Sequence, residues 1–161
     1  MKLLLISDTH GKVRNLRILL QKVKNIGMIL HMGDVEGDED MIRSFAPCPV
    51  EFVRGNCDPF SREPDEKLLH IQGHHIFMCH GHRLDVKTGL KKLEAAARAQ
   101  GADIALYGHT HLPDHTELEG LVIVNPGSLE RPYQEGTKPA YAVLEIDEKG
   151  EVHVHMNTLW P

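Results

Sequence analysis

The run Lys2-Leu3-Leu4-Leu5-Ile6 ends abruptly at Ser7-Asp8-Thr9-His10-Gly11. Four consecutive large apolar residues predict a short strand covered on both faces, because a strand with one wet face would alternate apolar and polar side chains. Apolar residues then follow helical spacing through Leu16, Leu19, Leu20 and Val23, so the first unit reads as strand, polar loop, helix. The order then returns. Residues Met28–His31 predict a second strand ending in Gly33-Asp34, Glu39–Phe45 a second helix, and 50–54 a third strand ending in Gly55-Asn56-Cys57-Asp58.

After a stretch rich in proline and charge (59–66), residues 67–71 and 74–79 predict a hairpin whose second arm ends at His80-Gly81-His82. A helix is expected over 86–100, with Gly101 as its stop, then a strand over 104–107 ending in Gly108-His109-Thr110-His111. Residues 115–118, 121–124, 140–146 and 152–156 predict further strands, joined by turns such as Glu119-Gly120 and Lys149-Gly150. Strand-helix alternation followed by a β meander predicts an α/β fold of two packed sheets with helices outside. A chain of 161 residues with no shift in composition predicts one domain. Apolar residues at 41% and charged residues at 25% exclude collagen-like, disordered and coiled-coil chains. The early apolar run is far shorter than the ~18–20 residues of a membrane span and too short for a signal-peptide core, so no membrane association and a cytoplasmic location are expected.

Eighteen Lys and Arg against 23 Asp and Glu give a formal charge of −5, which argues against gripping long nucleic acid by phosphate neutralisation. A short anionic substrate remains compatible. Lys12, Arg14, Arg17, Lys22 and Lys24 make the first helix basic and read as a solvated face. The three cysteines, Cys48, Cys57 and Cys79, form no C-x-x-C pair and are odd in number, which argues against a disulfide framework or a thiolate zinc site. Cys48 and Cys79 read as small buried hydrophobes. Twelve histidines in one short domain are the compositional outlier, and imidazole is the commonest ligand for transition metals.

Ligands in open α/β sheets bind outside the carboxyl ends of the strands, so residues just after strands belong together despite their distance in sequence. This gathers Asp8, His10, Asp34, Asn56, His80, His109 and His111, each able to coordinate a metal through oxygen or nitrogen. Asp8 and His10, like His109 and His111, are two apart, and in extended backbone such residues project to the same side. Seven ligands exceed one tetrahedral ion and suit two ions sharing a carboxylate, the arrangement that hydrolyses phosphate esters. His31, inside an apolar strand, reads as a satisfied core residue, and His70, His74, His75, His115, His153 and His155 as partly exposed packing.

The ordered motifs Asp8-Thr9-His10-Gly11, Gly33-Asp34, Gly55-Asn56-Cys57-Asp58, His80 and Gly108-His109-Thr110-His111 resemble the calcineurin-like metallophosphoesterase superfamily. The resemblance runs from residue 3 to about residue 130 and is nearest to the small prokaryotic phosphodiesterases of the YfcE type, in which Asn-Pro-Gly-Ser, here Asn125 to Ser128, follows the last ligand pair. It implies a four-layer αββα sandwich of two mixed β-sheets flanked by helices, over a single domain (1–161) with no cap. It further implies one metal held by Asp8, His10, Asp34 and His111, and a second by Asp34, Asn56, His80 and His109, with Asp34 as the bridge. Mn²⁺ is the leading expectation, with Ni²⁺, Fe²⁺, Zn²⁺ and Co²⁺ compatible with the same donors. The implied reaction is hydrolysis of small, accessible phosphodiesters by a metal-bridging hydroxide, with Asp34, Asn56, Cys57 and His80 catalytic and Asn56, Cys57, His82 and Ser128 against the substrate. For His82 and Ser128 the rival reading is structural: His82 merely follows its turn, and Ser128 belongs to a turn that supports the ligand loops.

Many relatives carry His where this chain has Cys57, and a thiol is a poorer proton donor to a leaving group at neutral pH, so activated or aryl diesters are the expected substrates. Alternatives to a diesterase are a phosphomonoesterase or nucleotide pyrophosphatase on the same site, and a non-catalytic scaffold resembling the metallophosphoesterase-like subunit of the retromer. Leu159-Trp160 is open to two readings, docking on the domain or forming a homo-oligomer.

Overall fold

Successive side chains of a strand point to opposite faces, and in β1 (Lys2–Ile6) this divides the interior in two. The structure is a computed structural model describing residues 1–130 and 138–161. Leu3 and Leu5 pack with Leu30, Ile76, Met78, Ile104, Leu106 and Leu144 between two sheets, whereas Leu4 and Ile6 pack outward with Leu16, Leu19, Ile42 and Phe52. Each fully buried Leu or Ile contributes about 1.5–3 kcal/mol of transfer free energy, so this one strand anchors two cores.

The first sheet has the order β10-β9-β1-β2-β3, with β2 Met28–His31, β3 Val50–Phe52, β9 Ala140–Ile146 and β10 Val152–Thr158. The second has the order β4-β5-β6-β8-β7, with β4 Glu66–Ile71, β5 His74–Cys79, β6 Ile104–Leu106, β7 Pro113–Leu118 and β8 Leu121–Pro126. Both are mixed: β1, β2 and β3 run parallel, as do β5, β6 and β8, with antiparallel strands at the margins. Helices α1 (Arg14–Lys22) and α2 (Glu39–Phe45) cover the first sheet. Helix α3 (Lys91–Ala99) covers the second through Leu93 and Ala97. This is the αββα sandwich implied by the sequence resemblance. Parallel strands end on one side of their sheet, so each sheet delivers its polar turns to a single rim.

The structure corrects the expected third helix. It begins at Lys91 rather than residue 86, because Asp85 (φ 50°) and Gly89 (φ 148°) are outside helical space and Val86 is buried against Gly81. The third strand stops at Phe52, and Arg54 instead donates its backbone N–H to Pro64 O. Leu159 docks on the domain, its side chain buried in the outer core and its carbonyl accepting from Lys22 Nζ at 2.7 Å, while the same ammonium lies 4.4 Å over the Trp160 ring. No described helix is long and apolar enough to cross a membrane.

His31 is fully buried, stacked on Phe52 with ring centroids 5.4 Å apart. Its Nδ1 accepts the Gly33 N–H at 3.2 Å, so Nε2 carries the proton and donates to Thr9 Oγ1 at 3.0 Å. Burial lowers its pKa to about 4. The unfolded chain therefore binds a proton below about pH 6.5 that the folded chain refuses until about pH 4, and stability falls as pH drops through that window. Chemical denaturation at pH 7.5 and pH 5.0 is expected to show a loss that is about 2 kcal/mol smaller in His31→Gln than in the unsubstituted protein.

Candidate metal centre

Asp8, His10, Asp34, Glu36, His109 and His111 all have φ between 47° and 67°. The left-handed region costs a non-glycine residue roughly 1–2 kcal/mol, and Asp and His tolerate it better than most. The pairs Asp8/His10 and His109/His111 thus converge through left-handed backbone rather than the extended backbone expected from the sequence. The first two loops remain laced together beyond their strands. Asp8, His10 and Gly11 donate their N–H groups to the carbonyls of Gly33, Asp34 and Val35 at 2.9–3.0 Å.

Two glycines allow the remaining approaches. A Cβ at Gly55 would overlap Asp34 Oδ1, and one at Gly108 would overlap Ser7 Oγ. Beneath the loops, Asp58 is 3% exposed and accepts four backbone N–H groups: Asp34 at 2.7 Å, Val35 at 2.8 Å, Glu36 at 2.6 Å and Gly55 at 2.8 Å. Asn125, fully buried, donates to Gly108 O and Thr110 Oγ1 and accepts from the Gly127 N–H.

The donor atoms form two groups around shared carboxylates. Asp8 Oδ1 lies 3.0 Å from His111 Nε2 and 3.9 Å from His10 Nε2, and the two Nε2 atoms are 3.3 Å apart. Asp34 Oδ2 lies 3.3 Å from His80 Nε2 and 3.9 Å from His10 Nε2, and so faces both groups. His80 Nε2 is 3.1 Å from Asn56 Oδ1, and the His109 ring centroid is 5.1 Å from that of His80. Donors ~2.0–2.2 Å from one ion would be roughly 3–3.5 Å apart, so most of these separations match shared coordination.

The ring orientations fit as well. His80 Nδ1 donates to Met32 O at 2.6 Å and His10 Nδ1 to Glu36 Oε1 at 2.7 Å, which turns each Nε2 into the site; on His80 that nitrogen carries a proton toward Asp34, which a bound cation would displace. Asp8 Oδ1 is buried without a hydrogen bond, although it is close enough to His111 for Coulomb attraction. A buried acceptor left unmatched costs about 1–3 kcal/mol, which a cation there would relieve. Burial pushes Asp34 upward, but the hydrogen bond and charge of His80 and the Cys57 N–H outweigh it and hold the carboxyl well below the usual range. Burial, then the positive fields of His80 and Lys87, lower His109 to about 4, leaving its imidazole neutral. Asp8 and Asp34 thus supply anions, and His109 a neutral donor.

All seven positions collected from the sequence meet here, and the three substrate residues named beside them, Cys57, His82 and Ser128, lie at different depths. Ser128 is 1% exposed and its hydroxyl donates to Asp8 O at 3.0 Å, which ties the segment after β8 to the first ligand loop. His82 is half-buried with its ring centroid 5.4 Å from His80 and 6.1 Å from His109, beside the site. Cys57 sits at the rim, its thiol pushed up to about 11 by burial and then by Asp34 and Glu36. Glu36 and the anchoring role of Asp58 escaped sequence reasoning. Asp58 was visible as the last residue of Gly55-Asn56-Cys57-Asp58, whereas nothing in the sequence set Glu36 apart from surface acids.

A family model described as a calcineurin-like phosphoesterase superfamily domain matches residues 1–149. The chain belongs to this superfamily. It is 32% identical to the probable metallophosphoesterase YsnB of Bacillus subtilis over 148 residues, covering 91% of this chain and 85% of that protein. Against the phosphodiesterase YfcE of Escherichia coli it is 29% identical over 174 residues, covering 91% and 89%. Among solved structures, a predicted phosphoesterase of Streptococcus pneumoniae superposes with a TM-score of 0.83 at 27% identity, covering 98% of this chain and 89% of the other. Zinc-bound Vps29 of Entamoeba histolytica superposes with a TM-score of 0.77 at 24% identity, covering 99% of each, a likeness of fold alone.

Removing the Asp58 anion strands four buried N–H groups on the two loops that present Asp34 and Asn56. Asp58→Ala is expected to destabilise the metal-free protein by about 3 kcal/mol in urea unfolding and to weaken Mn²⁺ binding about 10–100-fold by calorimetry.

Proposed function

We propose that this chain is a dimetal phosphodiesterase acting on small, accessible phosphodiesters. The observation that carries the reading is Asp34, a buried carboxylate whose Oδ2 faces His10 on one side and His80 on the other, at the meeting of five strand-end loops. Asp8, His10, Asp34 and His111 would hold one divalent ion, and Asp34, Asn56, His80 and His109 the other. When bound, such ions supply Lewis-acid stabilisation of phosphoryl charge and lower the pKa of a water nucleophile toward ~7. Manganese leads among the candidates, and the oxygen and imidazole donors also suit nickel, iron, zinc and cobalt.

The protein's own share is positioning. Met32 O and Glu36 fix the rings of His80 and His10, Asp58 fixes the loops, and Ser128 holds the Asp8 carbonyl from behind. Asn56, exposed at the rim with Oδ1 beside His80, stands where an incoming phosphoryl group would be met. His82 flanks that approach. Cys57 stands next to Asn56 with its Sγ 3.4 Å from Asn56 Nδ2, and a thiol with a pKa of about 11 holds its proton too tightly to assist a leaving group at neutral pH. The reading therefore favours leaving groups that need no protonation.

With Mn²⁺, bis-(p-nitrophenyl) phosphate is expected to be cleaved faster than p-nitrophenyl phosphate, and EDTA or Asp34→Asn is expected to reduce both to the blank. Absence of turnover with every divalent metal tried, in folded protein, would instead favour a binding scaffold. Cys57→His is expected to raise kcat on an alkyl diester about tenfold or more, read as methanol released from dimethyl phosphate, with a much smaller change for p-nitrophenolate released from bis-(p-nitrophenyl) phosphate.

A further inference from the structure

A cleft of about 800 Å³ opens directly beside the candidate metal centre, between the loop after β2 with the start of α2 and the loop 57–63. Its inner end is formed by Glu36 and Cys57, whose acid oxygen and sulfur group with a His10 ring nitrogen within 4.8 Å. The volume is that of a pocket for a nucleoside-sized group. Its outer wall carries Phe60, 96% exposed. Single exposed apolar residues are ordinary, but the loop that presents this one is pinned on both sides. Asp58 precedes it with four hydrogen bonds, Ser61 N donates to Asp58 O at 3.2 Å, and Ser61 Oγ donates to Glu39 Oε1 at 2.6 Å. A fixed backbone thus holds a bare aromatic face at the mouth of a cleft that leads to the site.

Charge limits what enters. The lining carries five carboxylates and two guanidiniums, and Arg43 is already paired with Glu63 and with Asp40. A second phosphate in the cleft would meet a net negative wall, whereas an uncharged aromatic group with amino donors would find Phe60 to stack on and Glu39 and Asp40 to accept its N–H groups. We propose that this cleft binds the second ester group of the substrate, and that the group is an uncharged or cationic aromatic of the nucleoside class. The inference rests on the phosphodiesterase reading and sharpens it: the diester carries one phosphate, and pyrophosphate-linked substrates are disfavoured.

The test uses p-nitrophenyl phosphodiesters whose second group is methyl, phenyl, adenosin-5′-yl or 4-carboxyphenyl, with Mn²⁺. The expected result is a kcat/KM for the phenyl and adenosyl esters at least about tenfold above the methyl ester, with the carboxyphenyl ester below the phenyl. In Phe60→Ala the adenosyl-to-methyl ratio is expected to fall about tenfold, the size of a lost stacking contact. In Glu39→Gln/Asp40→Asn the carboxyphenyl-to-phenyl ratio is expected to rise. Ratios near one in the unsubstituted protein, or unmoved within twofold by Phe60→Ala, overturn the inference while leaving phosphodiesterase activity standing. A second readout needs no turnover: the methyl ester of adenosine 5′-phosphate is titrated into metal-free protein by ligand-detected NMR. Binding that Phe60→Ala weakens about tenfold supports the cleft even if no ester is cleaved, and binding that Phe60→Ala leaves unchanged overturns it.

Discussion

The carboxylate of Asp58 holds together two loops that come from different strands. It is buried and accepts three consecutive N–H groups from residues 34–36 and one from Gly55. Hydrogen bonds to an ionised acceptor are about twice as strong as neutral ones, and low dielectric strengthens them further. Those donors would otherwise be orphans, because the backbone at Asp34 and Glu36 leaves the parallel ladder for left-handed conformations. Asp34, the carboxylate that faces both donor groups, is therefore placed by a neighbour that itself faces away from them.

The same division of labour recurs around the rim. Several residues that face the site carry left-handed backbone, and Asp8 adds an unmatched oxygen, whereas side chains just behind them are saturated. His31 links Thr9 to Gly33, Asn125 links Gly108 to Gly127, and Ser128 secures Asp8. The sheets supply rigidity beneath, since β1 is fully buried from Leu3 to Ile6 and shares its apolar side chains between two cores. A scaffold of this kind can keep six left-handed residues in register because the surroundings over-determine them.

Much of this was legible in the sequence. Short apolar runs meeting polar glycine turns identify buried parallel strands, and β2, α2, β5 and β9 fall on the residues the pattern selected. The seven donor positions were legible for the same reason: they follow strands whose ends must share a rim. The start of α3 was not, because the left-handed Asp85 and the buried Val86 answer to tertiary packing that helical spacing cannot register. Backbone conformation at the paired donors was also hidden, since D-x-H reads the same in extended and left-handed chain. Glu36 is ordinary in sequence and becomes distinctive only when the loop brings it 2.7 Å from His10 Nδ1.

Glu36 also lines the cleft beside the site. One carboxylate thereby orients a metal-facing imidazole and borders the space where an ester group would lie. Any occupant that engages this carboxylate alters how strongly His10 Nε2 donates, and a cation on His10 alters how strongly Glu36 receives the occupant. Thermodynamic reciprocity makes the two effects equal in free energy. On the proposed reading, a metal and the organic portion of a ligand would be coupled through a single side chain, and each would report on the presence of the other.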